Sequence, residues 1–481
     1  MLEQLKRLAT GIAGLDALLK GGLVAGASYI VQGRPGSGKT ILANQLSFNH
    51  ARNGGKVLVA TLLSESHERL FQYLSTLRFF DPSRIGEQIQ FVSAFDTLQS
   101  DGLDEVVKLL RREIARQKAT VLVVDGLLNA RTKAESQIDT KKFISELQGH
   151  AAFAGCTVLF LTSARLDDGS PEHTMVDGVI EMGEELIGAR SVRRIQLRKT
   201  RGSGALSGLH DCEITDEGLV VYPRLESLYS HPSRQDPADR TLVSSGVPGL
   251  DALIGGGLAR ASATLAMGPA GVGKTSLGIQ FLAQGTPEAP ALHFGFYESP
   301  QRLLLKAAAL GFDLEPLQRS GALHLCWQPT TEGLLDGLGA RLLEQVETYG
   351  IKRVLIDSLG GMTRVTTNPA RLSDFFASLT GELRARGVTV LVTCEMRGLI
   401  GPEINSPMPD MSSVVDNIFV MRFVEYASEL KRMMTILKVR DSVYDPSLLE
   451  VVIGARGLDF KKAFKQAEAV LTGSASSTSH Y

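Results

Sequence analysis

Short runs of apolar, mostly β-branched residues alternate with longer amphipathic stretches along the chain. The runs ASYIVQ, KVLVATL, TVLVVD and TVLFLT occur in the first half, and ALHFGF, RVLID and TVLVTC occur in the second. Runs of this length and composition predict buried strands, and the stretches between them predict helices. Regular alternation of the two predicts an α/β fold, with a mainly parallel sheet and helices on both faces.

The chain contains one long segment twice. Residues 10–40 read TGIAGLDALLKGGLVAGASYIVQGRPGSGKT, and residues 245–275 read SGVPGLDALIGGGLARASATLAMGPAGVGKT. Later similarities keep the same order and nearly the same offset, as far as the runs TVLFLTSAR and TVLVTCEMR. Solenoid repeats recur every ~20 to 50 residues, whereas this repeat has the length of a domain. The sequence therefore predicts two tandem domains that arose by duplication.

The boundary between the two domains falls in a polar stretch that contains prolines. YSHPSRQDPAD has two prolines, mixed charge and no apolar periodicity, which is typical of a linker. A surface loop within one domain is the alternative, and the repeat that restarts directly afterwards disfavours it. The small polar residues GSASSTSHY at the end are typical of a disordered tail. The predicted organisation is a first domain at 1–228, a linker at 229–240, a second domain at 241–471 and a tail at 472–481.

Both halves carry the phosphate-loop motif GxxxxGK[ST] between a predicted strand and a predicted helix. Glycines are required because the loop turns its backbone N–H groups toward phosphate oxygens, in conformations that side chains would obstruct. The helix that follows directs its positive N-terminal end at the same anion. A glycine-rich turn that binds nothing is the alternative, which two complete motifs disfavour. The predicted nucleotide-binding residues are Gly33, Pro35, Gly36, Ser37, Gly38, Lys39, Thr40, Gly268, Ala270, Gly271, Val272, Gly273, Lys274 and Thr275.

The motif also predicts how each half binds phosphates and a magnesium ion. Lys39 and Lys274 can reach the β- and γ-phosphates of ATP. The threonine after each lysine is placed to bind Mg²⁺, and a strand-ending aspartate further along suits the carboxylate that holds the ion through its water shell. Aspartates often end strands in α/β folds, so this assignment depends on the duplicated context. The predicted magnesium residues are Thr40, Asp125, Thr275 and Asp357, and the predicted cofactors are ATP and Mg²⁺.

One glutamate follows the second long strand of each half. Glu65 lies in LLSESHERL, and Glu298 lies in FYESPQRL. This placement suits a carboxylate that polarises the water or hydroxyl attacking the γ-phosphate. The alternative is an ordinary glutamate at the start of a solvated helix. We therefore expect Glu65 and Glu298 to be catalytic residues.

Composition narrows the functional classes. The 481 residues carry a formal net charge of −1, so no long-range field gathers nucleic acid or an anionic membrane. The four cysteines, Cys156, Cys212, Cys326 and Cys394, form no CxxC pair, which disfavours a zinc site or a disulfide framework. Neither a signal peptide nor an apolar run near the ~18 to 20 residues of a membrane span is present in the sequence. We therefore expect a cytoplasmic protein with no membrane partner.

With these motifs identified, the sequence resembles the KaiC family of circadian-clock ATPases, within the RecA-like superfamily. The resemblance extends from Thr10 to about Gly473. It depends on the duplicated GxxGLDxLLxGGL lead-in, the two phosphate loops and a carboxylate followed by serine after the second strand. It implies two tandem RecA-like P-loop NTPase domains and a homohexamer with ATP at its subunit interfaces.

The resemblance also implies a role for basic residues late in each half. Lys199 and Arg201 in the first half, and Lys438 and Arg440 in the second, match the family's K-x-R segments. In KaiC-like rings such residues reach the nucleotide of the neighbouring subunit, where a cation stabilises charge on the transferring phosphoryl group. The alternative is a basic, solvated strand edge, because RSVRRIQLRKTR at 190–201 is strongly basic.

In this family the second domain also phosphorylates itself on adjacent hydroxyl residues shortly before an aspartate and an apolar strand. Alignment on Asp416 and IFVMRFVEY assigns those positions to Ser412 and Ser413, whereas the first half offers only Thr174 near Asp177. Autophosphorylation of Ser412 or Ser413 is therefore a hypothesis. A surface loop or a helix cap is the alternative for these serines.

Two departures from the family limit what the resemblance implies. Family members usually carry two adjacent glutamates after the second strand, and here the pairs are Ser64-Glu65 and Tyr297-Glu298. Loss of one carboxylate from each pair predicts slow hydrolysis or phosphotransfer, unless the remaining glutamates have assumed its task. The segment FKKAFKQAEAVLTGS at 460–474 resembles the final helix of the family, with only a short tail after it.

Two other classes of function fit the same motifs. A RecA- or DnaB-like motor on single-stranded DNA would need basic and aromatic loops along a channel. Core or interface packing explains the single tryptophan, Trp327, more simply, and the net charge also disfavours nucleic acid as a partner. An ATP-bound scaffold would assemble a ring without turnover. The predicted function is a ring ATPase that hydrolyses ATP slowly, phosphorylates itself in its second domain and acts as a timer or switch with clock or signalling partners.

Overall fold

Among the residues that the structure describes, each half of this computed structural model contains one nine-stranded sheet. The described residues are 5–133, 137–163, 170–230, 241–330, 333–396, 411–426, 429–440, 442–462, 467–468 and 476–477. The chain divides into unit 1, Met1–Leu228, and unit 2, Tyr229–Tyr481. Most of the predicted linker at 229–240 and of the predicted tail at 472–481 lies outside the described residues.

Unit 1 alternates strands and helices in the order that its hydrophobic pattern predicts. Its strands are β1 Arg7–Leu8, β2 Leu23–Val24, β3 Ser28–Gln32, β4 Val57–Thr61, β5 Ile89–Ser93, β6 Val121–Asp125, β7 Thr157–Thr162, β8 Gly178–Ile187, β9 Arg190–Thr200, β10 Leu209–Thr215 and β11 Gly218–Tyr222. Its helices are α1 Ala13–Leu18, α2 Lys39–Arg52, α3 His67–Leu74, α4 Phe95–Ser100, α5 Leu103–Gln117, α6 Leu127–Lys133, α7 Gln137–Phe153, α8 Pro171–Met175 and α9 Leu225–Leu228. Strands β3, β4 and β7 are buried along their whole length, as central parallel strands are.

The sheet of unit 1 is parallel at its centre and antiparallel at one edge. Its strand order is β11-β10-β9-β8-β3-β7-β6-β4-β5. The strands from β8 to β5 pair in parallel, and β9, β10 and β11 extend the β8 edge with antiparallel pairs. One apolar cluster joins Val31 to Leu46 of α2, and another joins Ile30 to Ile144 of α7. Because neighbouring residues of one strand belong to different clusters, helices cover both faces of the sheet.

Unit 2 has the same architecture. Its strands are β12 Leu242–Val243, β13 Leu258–Ala259, β14 Ala263–Gly268, β15 Ala291–Gly295, β16 Leu323–Trp327, β17 Arg353–Asp357, β18 Thr389–Glu395, β19 Asn417–Tyr426, β20 Glu429–Val439, β21 Leu449–Gly454, β22 Gly457–Lys462, β23 Ala467–Glu468 and β24 Ser476–Ser477. Its helices are α10 Pro248–Leu253, α11 Lys274–Leu282, α12 Pro300–Ala309, α13 Glu315–Arg319, α14 Leu335–Tyr349, α15 Leu359–Val365, α16 Leu372–Ala385 and α17 Met411–Val414.

The strand order of unit 2, β16-β15-β17-β18-β14-β19-β20-β21-β22, matches that of unit 1 strand by strand. The predicted α/β fold of two tandem domains is therefore confirmed. The expected helix at 460–474 is wrong at its start, because Phe460 lies in β22 and pairs with Val451 of β21. Alternating Leu458 and Phe460 pack on the core of unit 2, so the period there is that of a strand.

In each unit, an aspartate in the first turn of a short helix accepts hydrogen bonds from residues that precede that helix. Asp16 of α1 accepts hydrogen bonds from the backbone N–H and the hydroxyl of Thr10, at 2.8 and 2.7 Å. Asp251 of α10 accepts from the hydroxyl of Ser244 at 2.5 Å and from the backbone N–H of Ser245 at 2.8 Å. The GLD sequence that the two segments share therefore forms the same turn in both units. In each unit this turn precedes the strand that leads into the phosphate loop.

The four cysteines are free, and burial raises the pKa of the Cys156 and Cys212 thiols to about 12. Thiols with such pKa values stay protonated and unreactive near neutral pH. Within the described parts of the chain, no helix combines the length and the apolar character that crossing a bilayer requires.

Candidate functional site

The first phosphate loop connects the end of β3 to the start of α2. Gly36 and Gly38 have φ angles of +82° and +99°, a region that glycine adopts far more readily than other residues. At Gly33 the constraint is space, because a Cβ there would lie 2.2 Å from the carbonyl oxygen of Met182. The glycines of the motif are therefore required by the course of the backbone itself, and α2 begins directly where the loop ends.

The side chain of Lys39 is hydrogen-bonded to the backbone of the first loop. Its Nζ donates to the carbonyl oxygens of Gly33, at 2.8 Å, and Arg34, at 2.9 Å. Burial lowers the pKa of this ammonium group, and the nearby Asp125 carboxylate acts in the opposite direction. A phosphate in the loop would offer the cation stronger, charged acceptors than these two carbonyls.

Thr40 and Asp125 meet beside the loop. Asp125 ends β6, and the hydroxyl of Thr40 donates to its Oδ2 at 3.3 Å. Burial is the main influence on the Asp125 carboxyl and raises its pKa, whereas the Thr40 hydrogen bond and Lys39 lower it. A hydroxyl and a carboxylate are hard oxygen donors, the type that Mg²⁺ prefers. The chemistry of this donor set therefore fits a magnesium ion.

A cavity of about 370 Å³ lies over the first loop, at the carboxyl edge of the sheet. Its volume falls in the usual range for small-molecule sites. The cavity brings the loop, Asp125 and Glu65 together. It is also lined by polar residues that no sequence motif marks, namely Thr61, His67, Asn129 and Ser163. Thr61 pairs with Asp125 in the sheet, so strand register was the one available signal for it.

Unit 2 repeats this arrangement at the end of β14. Lys274 Nζ donates to the carbonyl oxygens of Gly268 and Pro269, both at 2.7 Å, and burial lowers the pKa of the ammonium group. The hydroxyl of Thr275 donates to Oδ2 of Asp357 at 3.1 Å. The second half therefore places the same three groups, a lysine, a threonine and a strand-ending aspartate, at the carboxyl edge of its sheet.

Unit 2 adds a further hydroxyl to this set. Thr393 of β18 donates to Oδ1 of Asp357 at 2.5 Å, so both oxygens of this carboxylate are held by threonines. In unit 1 the residue beside Asp125 on the neighbouring strand is Leu161, which has no hydrogen-bonding side chain. The orientation of the aspartate is consequently more tightly fixed in the second half.

The two candidate glutamates differ in their surroundings. The side chain of Glu65 is half exposed, and Arg69 lies 4.0 Å from it. Glu298 forms an ion pair with Lys306 at 2.7 Å. Its second oxygen, Oε2, is buried and has no partner among the residues that the structure describes. Glu65 is thus loosely held, whereas Glu298 is anchored at one oxygen and available at the other.

The basic pair of unit 1 lies at the opposite end of the sheet from the loop of that unit. Thr200 pairs with Gly178, which pairs with Tyr29 near the start of β3, whereas the phosphate loop follows the end of β3. Lys199 and Arg201 donate to backbone carbonyl oxygens of α8 and of the residue after it, at 2.6 to 3.3 Å. The structure therefore does not bring this pair to its own phosphate loop.

The same holds for the basic pair and the serines of unit 2. Lys438 donates to the carbonyl oxygen of Ser412 at 2.5 Å. Arg440 donates to the carbonyl oxygen of Ser413 at 3.4 Å and to Oδ1 of Asp416 at 3.0 Å. Both serines belong to α17 and are exposed. The basic pair and the two serines thus form one group at the start of β19, away from the phosphate loop of unit 2.

Comparison with known proteins gives the same duplicated pattern. A family model described as ATPase: KaiC matches residues 8–226 and, a second time, residues 243–464. The chain belongs to the KaiC ATPase family. The circadian clock oscillator protein KaiC of a Picosynechococcus species is 26% identical over 488 residues, which cover 98% of this chain and 93% of that protein. Proteins of the same name from Synechococcus elongatus and Thermostichus vulcanus are also 26% identical, and the matches cover 98% of this chain and 92% of theirs.

Membership of the KaiC family confirms the resemblance read from the sequence and, with the two matching sheets, the fold of two tandem RecA-like domains. It also supports ATPase activity and nucleotide binding in general. The departure from the KaiC pattern after the second strand has a structural counterpart. Ser64 and Tyr297 leave one carboxylate in each half, and the structure shows these two carboxylates in unlike surroundings.

The expectation that Trp327 packs in a core is wrong. Trp327 ends β16, which is an edge strand of the sheet, and 46% of the residue is exposed. Its Nε1 donates to the carbonyl oxygen of Phe296 at 3.1 Å. An edge strand has a neighbour on one side only, so the indole is not enclosed. Packing at an interface, the other expectation for this residue, stays a prediction.

Proposed function

We propose that this KaiC-family chain is a Mg²⁺-dependent ATPase with one ATP site in each half. One observation carries the proposal. Both units place a loop lysine beside a threonine hydroxyl that is bonded to a strand-ending aspartate, at 3.3 Å in unit 1 and 3.1 Å in unit 2. Groups of these three types at the carboxyl edge of a parallel sheet suit the binding and activation of a nucleoside triphosphate.

In each site the chain's own residues would divide the chemistry. Lys39 and Lys274, with the glycine-rich loops, would bind the β- and γ-phosphates. Mg²⁺ neutralises charge on these phosphates when bound. Glu65 and Glu298 would orient the attacking water, and the unpartnered Oε2 of Glu298 is free to accept its hydrogen bond. The residues proposed to hold the ion are Thr40, Asp125, Thr275 and Asp357.

We also propose a homohexamer with ATP at its subunit interfaces. The position of the basic pairs supports it, since each pair lies at the opposite end of the sheet from its own phosphate loop. A copy of the chain that packs against that end would bring its own nucleotide close to these side chains. The residues proposed to stabilise the phosphoryl charge in trans are Lys199, Arg201, Lys438 and Arg440.

Autophosphorylation of Ser412 or Ser413 belongs to the same proposal. Both serines are exposed, and their carbonyl oxygens accept hydrogen bonds from Lys438 and Arg440. In a ring they would therefore face the ATP of a neighbouring copy. The serine oxygen would form a bond to the γ-phosphorus as the bond to ADP breaks, and its proton would pass to Glu298 of that copy.

Slow turnover follows from the single carboxylate in each site and suits a timer or signalling switch that works with clock or signalling proteins. The names of the relatives, circadian clock oscillator proteins, support this role. We propose a cytoplasmic location, because four free cysteines fit a reducing compartment.

The assembly and the autokinase are tested by incubating the full-length protein with Mg-ATP, followed by size-exclusion light scattering and intact mass. We expect a hexamer and the mass of an added phosphate, which is lost when Ser412 and Ser413 are both changed to alanine. A hexamer without added mass would contradict autophosphorylation alone, and a monomer in saturating ATP would contradict the ring. Turnover that DNA stimulates, with a steep salt dependence, would favour a motor on single-stranded DNA instead.

A further inference from the structure

The first nucleotide cavity contains an imidazole to which the proposed function gives no role. His67, the first residue of α3, lines the cavity together with Lys39, Asp125 and Glu65. Its Nε2 lies 3.3 Å from the hydroxyl oxygen of Thr61. Thr61 also lines the cavity, and it ends β4 at the level of Asp125. His67 and Thr61 therefore form a polar pair on the wall of the site.

Aromatic neighbours hold the ring of His67 in one orientation. Phe71, one turn along α3, is stacked on it with ring centroids 6.3 Å apart, and Phe91 of β5 is tilted against it at 5.6 Å. This packing keeps Nε2 directed at Thr61. Burial also lowers the pKa of the imidazole, so the ring is neutral near pH 7. A neutral imidazole with a fixed orientation is suited to accept a proton.

The charges near this imidazole come from several elements. The strands packed against the ring, β4 and β5, present Thr61 and Phe91, which are uncharged. Burial alone accounts for the lowered pKa of His67, without a net contribution from a neighbouring charge. The charged residues on the cavity wall and on α3 itself are Lys39, Asp125, Glu65, Glu68 and Arg69.

Unit 2 places an imidazole at the same level of its sheet from a different position in the sequence. Its helix α12 begins with a proline, so no counterpart of His67 exists there. Instead His293 of β15 is buried, and a Cβ on Gly295 would lie 2.1 Å from its Cε1. Gly295 pairs with the aspartate that ends β17, as Thr61 pairs with the aspartate that ends β6. Two unrelated sequence positions thus bring a histidine ring to equivalent places.

We propose that His67 accepts the proton of the attacking water in the first ATP site, in place of the carboxylate that the family pattern lacks at Ser64. This inference rests on the proposed ATPase function. The water oxygen forms a bond to the γ-phosphorus while the bond to the bridging oxygen breaks, and that electron pair leaves with ADP. The water proton passes to Thr61 Oγ1, and the hydroxyl proton of Thr61 passes to Nε2 of His67. The imidazolium then releases its proton to solvent, and Glu65 keeps the water oriented.

The test is phosphate release by the full-length protein between about pH 5.5 and 8.5, in a Lys274→Ala background that silences the second site. The variant is His67→Gln, which keeps a polar side chain near Thr61 but cannot take up a proton. We expect kcat to fall about 100-fold, with KM and ATP affinity within about threefold of the parent. The parent loses activity toward acid pH as the imidazole is protonated, and the variant does not.

His50 provides a matched control for this test. Burial also lowers the pKa of its imidazole, and its Nε2 lies 2.7 Å from the hydroxyl of Thr120, but it does not line the cavity. His50→Gln should therefore release phosphate at the parental rate and should lose activity toward acid pH as the parent does. Circular dichroism of each variant checks that it is folded.

If His67→Gln still loses activity toward acid pH, with kcat within about twofold of the parent, the inference is overturned and His67 is a packing residue. Thr61→Val removes the relaying hydroxyl at nearly constant shape and should lower kcat as His67→Gln does. It decides the question if the histidine variant fails to fold, and a Thr61→Val protein with parental kcat would also overturn the relay. A parent that binds ATP and releases no phosphate would overturn the proposed function together with this inference, a result distinct from loss of the relay alone.

Discussion

At the scale of single residues, Asp125 opposes the stability of the fold that holds it. Burial raises the pKa of this carboxyl above its ordinary value of 3.8. Between that value and the raised one, the folded protein keeps a proton that the unfolded chain has released. The stability of unit 1 therefore falls as the pH rises through this window. Residues of functional sites often reduce stability in this way.

Asp125→Asn removes that charge. Without nucleotide at neutral pH, we expect unit 1 to become more stable, measured by hydrogen exchange of peptides from Met1–Leu228. Mg-ATP at about one hundred times its Kd for the parent should raise the unfolding free energy of unit 1 by about 2.7 kcal/mol in the parent. The same concentration should raise it by less than about 1 kcal/mol in the variant. The exposed Asp101→Asn is the control, and it should change neither quantity. Lower stability of ligand-free Asp125→Asn would contradict this account of the buried carboxyl.

Thr393 distinguishes the two proposed magnesium sites. Its hydroxyl donates to Oδ1 of Asp357 at 2.5 Å, so Thr393→Val should leave that carboxylate less well oriented. We expect the Mg²⁺ concentration for half-maximal ATP binding to rise at least about tenfold, measured with the first site silenced by Lys39→Ala.

Thr389→Val on the same strand is the control for Thr393→Val. The Thr389 hydroxyl accepts a hydrogen bond from the backbone N–H of Ala261 at the other end of β18, so its loss should not alter the Mg²⁺ requirement. An unchanged requirement in the Thr393 variant would show that Thr275 alone orients Asp357.

The residues that sequence could identify differ in kind from those it missed. The phosphate loops carry Lys39 and Lys274 at a fixed spacing, because the loop geometry itself demands that spacing. Thr61, His67 and Thr393 reach the sites through strand register and helix packing, which bring together residues far apart in the chain. No local pattern marks such residues, so only the folded structure identifies them.

At the scale of elements, the central parallel strands were predictable because they are continuous apolar runs. The antiparallel edges, β9 to β11 and β20 to β22, mix buried residues with half-buried and exposed ones, and β9 and β20 contain many charges. A basic strand such as β9 therefore resembles a solvated surface in the sequence. The segment beginning at Phe460 resembles a helix for a related reason, because its lysines and apolar residues also fit a helical period. Pairing with β21 makes it a strand instead.

The turn before α10 shows where a glycine is indispensable. Gly246 has a φ of +85°, and a Cβ there would lie 2.2 Å from the backbone carbonyl oxygen of Gln280. Because the clash is with backbone, Gly246→Ala should lower the unfolding free energy of unit 2 by more than about 3 kcal/mol, measured by hydrogen exchange of peptides from that unit.

Gly350 at the end of α14 is the matched control for Gly246. It has a φ of +62°, but no atom lies within 4 Å of its added Cβ. Gly350→Ala should therefore lower the unfolding free energy by only about 1 to 2 kcal/mol, the strain of the backbone conformation. Equal losses in the two variants would show that the conformation, and not the contact with Gln280, sets the requirement for glycine.

At the scale of the whole molecule, the opposite ends of each sheet carry complementary groups, the phosphate loop at one end and the basic pair at the other. Chains with Lys39→Ala and chains with Arg201→Ala should each lack turnover at the first site, with Lys274→Ala present in both. In the proposed ring each contact is head-to-tail, so after mixing and reassembly about a quarter of the interfaces would join an intact loop to an intact arginine. Phosphate release should recover to about that fraction, and no recovery would place the arginine outside the neighbour's site.

The most direct test of the central claim, an ATPase with a working site in each half, is phosphate release by the wild type, by Lys39→Ala, by Lys274→Ala and by the double variant. We expect each single variant to keep part of the wild-type rate and the double variant to lose about 100-fold or more. A wild-type rate equal to that of the double variant, with ATP binding intact in the wild type, would contradict the ATPase and identify an ATP-bound scaffold.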